Sequence, residues 1–103
     1  MDLGVFFTDT AIEHLEAIFD YYKNRANVGV AQNMVQSLTN ATIILKTNPT
    51  IGQIEEFLKR RKYQYRYLVI GNYKIIYRIT DTYVMIAAVF DCRQNPKKMK
   101  MIK

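Results

Sequence analysis

Apolar and polar positions divide the chain into two regimes. Over residues 9–26 and 31–47 the apolar side chains recur at helical spacing, and over residues 64–70, 73–80 and 83–90 they alternate with a period of two. The helical stripes are Ala11, Leu15, Ile18, Phe19 and Tyr22, then Ala31, Met34, Val35, Leu38, Ala41, Thr42 and Leu45. A capping signature, Thr10-x-x-Glu13, marks the start of the first helix, and Asn27-Val28-Gly29 breaks it. Two antiparallel helices joined by so short a loop form a helical hairpin, closed at its far end by Asn48-Pro49.

The three alternating stretches are rich in Tyr, Ile and Val and are separated by Gly71-Asn72 and Asp81-Thr82, so they read as antiparallel strands joined by tight turns. If Ile70 faces Tyr73 and Thr80 faces Tyr83, alternation assigns every side chain to a face. The first face takes Leu68, Ile70, Tyr73, Ile75, Tyr77, Ile79, Val84, Ile86, Ala88 and Phe90, with Arg66 at its edge, and is the natural seat for the helical hairpin. The second takes Tyr65, Tyr67, Val69, Lys74, Ile76, Arg78, Thr80, Tyr83, Met85, Ala87 and Val89. That mixture of phenols, fixed positive charge and apolar surface predicts a face that binds a partner both anionic and apolar, unless the chain's own termini or a second copy hide it. Leu3 to Thr8 is a short apolar run able to add an edge strand, and residues 48–63 are a connector with a helical turn near residues 55–59. The fold class is therefore α+β: an N-terminal strand, a two-helix hairpin at residues 9–47, a three-stranded antiparallel sheet at residues 64–90 packed on the helices, and a basic, frayed tail at residues 91–103.

Length keeps this arrangement to one domain, because 103 residues are enough for a modest core and no linker or repeat divides them. No apolar run approaches the length of a membrane span, and the start of the chain has no signal-peptide pattern. A single cysteine, Cys92, has no internal partner and points to the cytoplasm. Charge changes the picture more. Fifteen Lys and Arg oppose nine Asp and Glu for a net +6 and a pI near 9.5. The bases gather from Lys59 to Lys103, whereas most acids lie in the first half, an asymmetry that favours a nucleic acid or an acidic protein as partner.

The sequence lacks HExxH, CxxC, Walker and GxGxxG motifs, so no metal or cofactor is expected. With one histidine, His14, lying off the helical stripe and read as a surface residue, a Ser-His-Asp triad is excluded. Any chemistry would have to use cations and phenols: Lys74, Arg78 and Arg93 to hold a phosphodiester and stabilise developing charge, with Arg93 leaving the last strand where it joins Lys74 and Arg78, and Tyr65 or Tyr67 to stack on a base or move a proton.

Four segments, VFFTDTAIEHLEAIFDYY, NPTIG, RYLVIGNYKIIYRI and VFDCRQNP, resemble the RelE/ParE superfamily of toxins from type II toxin–antitoxin modules, nearest its ParE-like, plasmid-stabilisation branch. The resemblance spans nearly the whole chain, and it implies the same order of strand, helical hairpin and sheet. It further implies an acidic antitoxin that neutralises the toxin in a hetero-oligomer, on a face formed by Tyr65, Tyr67, Lys74, Ile76, Arg78, Met85 and Arg93. Two activities share this fold: ParE-like members poison DNA gyrase, and RelE-like members cut messenger RNA on the ribosome. Lys74 and Arg93 match positions of the nuclease branch. Tyr65 and Tyr67 stand where that branch carries lysines, and only Met99 and its lysine neighbours stand where it carries a C-terminal tyrosine or histidine. The implied function is thus gyrase inhibition by binding, the alternatives being a ribosome-dependent endoribonuclease or an inactive relative that keeps only antitoxin binding.

Overall fold

The computed structural model describes residues 2–102, so Lys103 of the basic tail lies outside the described residues. Strand β1 (Gly4–Phe7) leads into helices α1 (Asp9–Arg25) and α2 (Val28–Ala41), followed by a 3-10 turn at Ile43–Lys46, a short strand β2 (Gln53–Ile54), and strands β3 (Arg66–Ile70), β4 (Tyr73–Ile79) and β5 (Tyr83–Asp91). The five strands make one sheet in the order β1-β5-β4-β3-β2. All pairings are antiparallel except β1 with β5, which run parallel because the helical hairpin between β1 and the rest carries the chain back to the same end. β1 is the edge strand expected from Leu3 to Thr8, and the strand not expected is β2, whose two residues are too few to show a period of two.

The hairpin registers follow the sequence. Ile70 pairs with Tyr73, and Thr80 donates its backbone N–H to Tyr83 O at 2.8 Å. Among the described residues only Gly71 has positive φ, at +58°, as a glycine-first turn requires. The second turn is held without positive φ, by the Thr80 hydroxyl, which donates to Tyr83 O and accepts from Tyr83 N.

The first face of the sheet carries α1 and α2. Ala11, Ile18, Leu38 and Leu45 are buried against Tyr73, Ile75, Tyr77, Val84 and Ile86, with Val5 and Phe7 of β1 closing one side. The cap of α1 is Thr8 rather than Thr10: Thr8 is extended, and its hydroxyl accepts from Ala11 N at 3.1 Å. The same hydroxyl donates to Ala87 O at 3.2 Å.

That second bond marks the main departure from the alternation rule. Ile76 pairs with Ala88 and Tyr77 with Ile86, so Ala87 is an extra residue, a β-bulge. Beyond it every side chain of β5 changes face. Val89 joins the helix-side core, whereas Ala88 and Phe90, expected there, turn to the second face.

The second face is then covered in part by the chain itself. Leu58, Met99 and Ile102 pack with Tyr65, Ile76, Ala87, Ala88 and Phe90 into a second core. The tail does not fray. Pro96–Met101 forms a 3-10 helix, and Arg61 donates to Ile102 O at 2.7 Å, Lys100 O at 2.9 Å and Met99 O at 3.4 Å. Of the alternatives that the composition left open for this face, burial by the chain's own terminal segment holds for its centre. Among the described residues, no helix is long and apolar enough to cross a membrane.

Candidate interaction surface

Lys74, Ile76 and Arg78 alternate along β4 and therefore share the second face, as Tyr65 and Tyr67 do from the neighbouring edge. What surrounds each differs. Lys74 Nζ lies 2.9 Å from Glu55 Oε2 and 4.2 Å above the Tyr67 ring. Glu55 is only 2% exposed, and its other oxygen accepts from Phe57 N at 3.3 Å. A carboxylate so deeply placed demands a cation, and Lys74 supplies it. The Arg78 guanidinium stacks on Tyr63 at 4.0 Å, beside Met85 across the strand pair. Tyr67 donates its hydroxyl to Gln53 Oε1 at 2.9 Å. Tyr65 and Ile76 are buried under the tail, so neither offers itself to a partner while the tail is seated.

Arg93 is engaged elsewhere. Asp91 pairs in register with Tyr73, whose side chain belongs to the helix-side core, and Arg93 follows Asp91 to that side. Its Nε and Nη2 donate to the two carboxylate oxygens of Asp91 at 2.9 and 2.8 Å, and the guanidinium lies 6.0 Å from the Tyr21 ring of α1. The pairing lowers the Asp91 pKa and raises that of Arg93. The expected convergence of Lys74, Arg78 and Arg93 is therefore replaced by three separate engagements: a buried ion pair, a stack on tyrosine, and a bidentate pair against α1. The bulge at Ala87 is the cause, because it turns the end of β5 over before Asp91 is reached.

A cleft of about 220 Å³ opens between α1 and the end of β5, lined by His14, Tyr21, Tyr73, Asp91, Arg93 and Gln94. His14, expected on the surface, is half-buried there and accepts the Val89 N–H at its Nδ1, at 3.1 Å. Past Phe7, β5 has no strand on this edge, and α1 side chains take over: Thr8 for the Ala87 carbonyl, His14 for the Val89 amide. The role requires a neutral ring with its proton on Nε2, and burial lowers the His14 pKa below its ordinary 6.5. The unfolded chain then binds the proton more readily than the folded one. The stabilisation is complete above pH 6.5 and falls away as pH drops from there through the folded value. Compared with His14→Gln, which keeps an acceptor but does not titrate, the parent is expected to lose stability on acidification, its partial exposure limiting the effect. Thermal unfolding of both proteins between pH 8 and 4.5 checks this, and parallel profiles would contradict it.

With the strand, hairpin and mixed sheet in place, the comparisons decide the family. Residues 5–96 match the description "ParE toxin of type II toxin-antitoxin system, parDE". The chain belongs to the ParE toxin family. A solved structure described as a chromosomal ParDE TA system from P. aeruginosa superposes with a TM-score of 0.73 at 18% identity, over 86% of this chain and 95% of that one. At that identity the likeness is one of fold. No curated relative matches the sequence. Residues 5–96 of this ParE-family chain include all of β1 but Gly4, the hairpin, the other four strands and the pairs Lys74–Glu55 and Arg93–Asp91, so the fold elements and the engaged cations both lie inside the family match.

Proposed function

We propose that this ParE-family toxin arrests bacterial growth in the cytoplasm by binding DNA gyrase, makes and breaks no bonds itself, and is neutralised by a cognate acidic antitoxin. The observation that carries the reading is the Lys74–Glu55 pair. A lysine held at 2.9 Å by a buried carboxylate is poorly placed to serve as a base or to hold a scissile phosphate, and Arg93 is turned toward α1. What the second face still offers is surface for binding: Arg78, Tyr67 and Met85, with Phe6, Val69 and Tyr83 exposed around them. Charge and apolar area together suit an acidic, partly apolar antitoxin segment, and Ile76 leaves the contact set because it is already buried.

The test is to induce the chain alone in a bacterial host and to follow, in one culture, plasmid supercoiling and primer extension on abundant messages. Relaxed plasmid with intact messages is the expected result. New cuts at A-site codons with normal supercoiling would overturn the proposal in favour of the nuclease.

A further inference from the structure

Among the described residues, one group of cations is engaged by the fold itself. Arg66 is bonded to the carbonyls of Thr50 and Gly52, Lys74 to Glu55 and Arg93 to Asp91, while Arg25 and Arg78 lie on tyrosine rings. A second group is left facing water. By holding three tail carbonyls, Arg61 brings the tail against the connector, and Lys59, Arg60 and Lys100 come to rim one shallow depression with Arg61. In it stands Phe57, 55% exposed although the core lies one residue away at Leu58. The acid at this depression is Glu56, whose contact with Lys59 is 3.8 Å long and highly exposed, and so holds little of that charge.

We propose that this depression binds single-stranded nucleic acid, its backbone phosphates on Lys59, Arg60 and Lys100 and one base stacked on Phe57. An exposed ring within a rim of cations is the arrangement by which single strands are held without sequence preference, since every base offers a flat face and every nucleotide a phosphate. An acidic protein segment would also use the cations, but only a nucleotide brings a flat face for the Phe57 ring and a phosphate for the rim in one repeating unit. Neither Arg78 nor Met85 lines this depression, and its binding is measured without gyrase or antitoxin, so failure here leaves the gyrase proposal standing.

Fluorescence anisotropy of the purified full chain tests it, using a labelled 15-nucleotide DNA of mixed sequence, the same sequence as RNA, and the corresponding duplex. Both single strands are expected to bind with strong salt dependence, and the tighter one names the sugar preferred. Phe57→Ala is expected to weaken single-strand binding about tenfold and to leave duplex binding nearly unchanged. Lys59→Ala/Arg60→Ala/Lys100→Ala is expected to weaken both and to lower the log–log salt slope by about 2. Lys23→Ala/Lys46→Ala, which removes two exposed cations far from the depression in sequence, is expected to change neither. The proposal is overturned if no strand binds at low salt, if Phe57→Ala has no effect, if the Lys23/Lys46 control weakens binding as much as the triple variant, or if poly-glutamate displaces the strand at equal charge concentration.

Discussion

Tyr77→Phe is expected to lower stability by about 2–4 kcal/mol, although it removes one oxygen atom and no packing volume. Tyr77 is fully buried at the middle of β4, and its hydroxyl donates to Pro49 O at 2.7 Å and accepts from Gly52 N at 2.9 Å. Both partners belong to the connector between the helical hairpin and the sheet, which has no long element of its own. The substitution leaves a buried donor and a half-buried acceptor unpaired, at up to about 1–3 kcal/mol each. For a domain of this size the melting temperature should fall by about 10–20 °C. Gly52→Ala attacks the same junction from the other side. A Cβ there would lie 2.8 Å from the Tyr67 carbonyl oxygen and as close to the Tyr77 ring, so the connector must lift away from the sheet, at a cost of about 1–3 kcal/mol. Thermal or denaturant unfolding of the two variants checks both values, and a near-neutral Tyr77→Phe would show that the connector is not anchored there.

The second large effect belongs to the Lys74–Glu55 pair. Lys74→Met should cost about 3 kcal/mol, because it leaves a carboxylate that is 2% exposed without its cation. Adding Glu55→Leu should return most of that loss, since two apolar side chains of similar size can replace a buried ion pair at little net cost. The two substitutions touch, so their effects are expected to be far from additive. A residue retained for catalysis would behave otherwise. Its removal would leave the fold largely unharmed, and no second-site change at Glu55 would compensate.

Much of the fold was legible because its signals are local. Gly71-Asn72 and Asp81-Thr82 punctuate the strands, the helical stripes are long, and Asn27 caps α2 where the sequence breaks. What escaped depends on contacts between distant residues. No glycine or proline announces the bulge at Ala87; its signal lies in Thr8 and His14, polar residues on the opposite end of the chain that satisfy the Ala87 carbonyl and the Val89 amide. Once the bulge is missed, Ala88, Val89 and Phe90 fall on the wrong faces, and Arg93 is aimed at Lys74 instead of Asp91 and Tyr21. The seating of the tail was equally hidden. Met99 and Ile102 sit in a short lysine-rich stretch with no helical or strand period, and only the cluster of Leu58, Tyr65 and Ile76 shows what they cover. Within the candidate site, the residue types on β4 were readable from alternation, but the engagement of each cation was not, because Glu55, Tyr63 and Asp91 belong to other elements.

If this toxin acts by binding, Lys74 serves the fold and not the toxicity. The most direct measurement is growth arrest on induction of the Glu55→Leu/Lys74→Met protein beside the parent, with the soluble level of each determined in the same cells. Arrest by both at equal soluble levels is the predicted result. Arrest by the parent alone, with the double variant folded and equally abundant, would return Lys74 to a catalytic role.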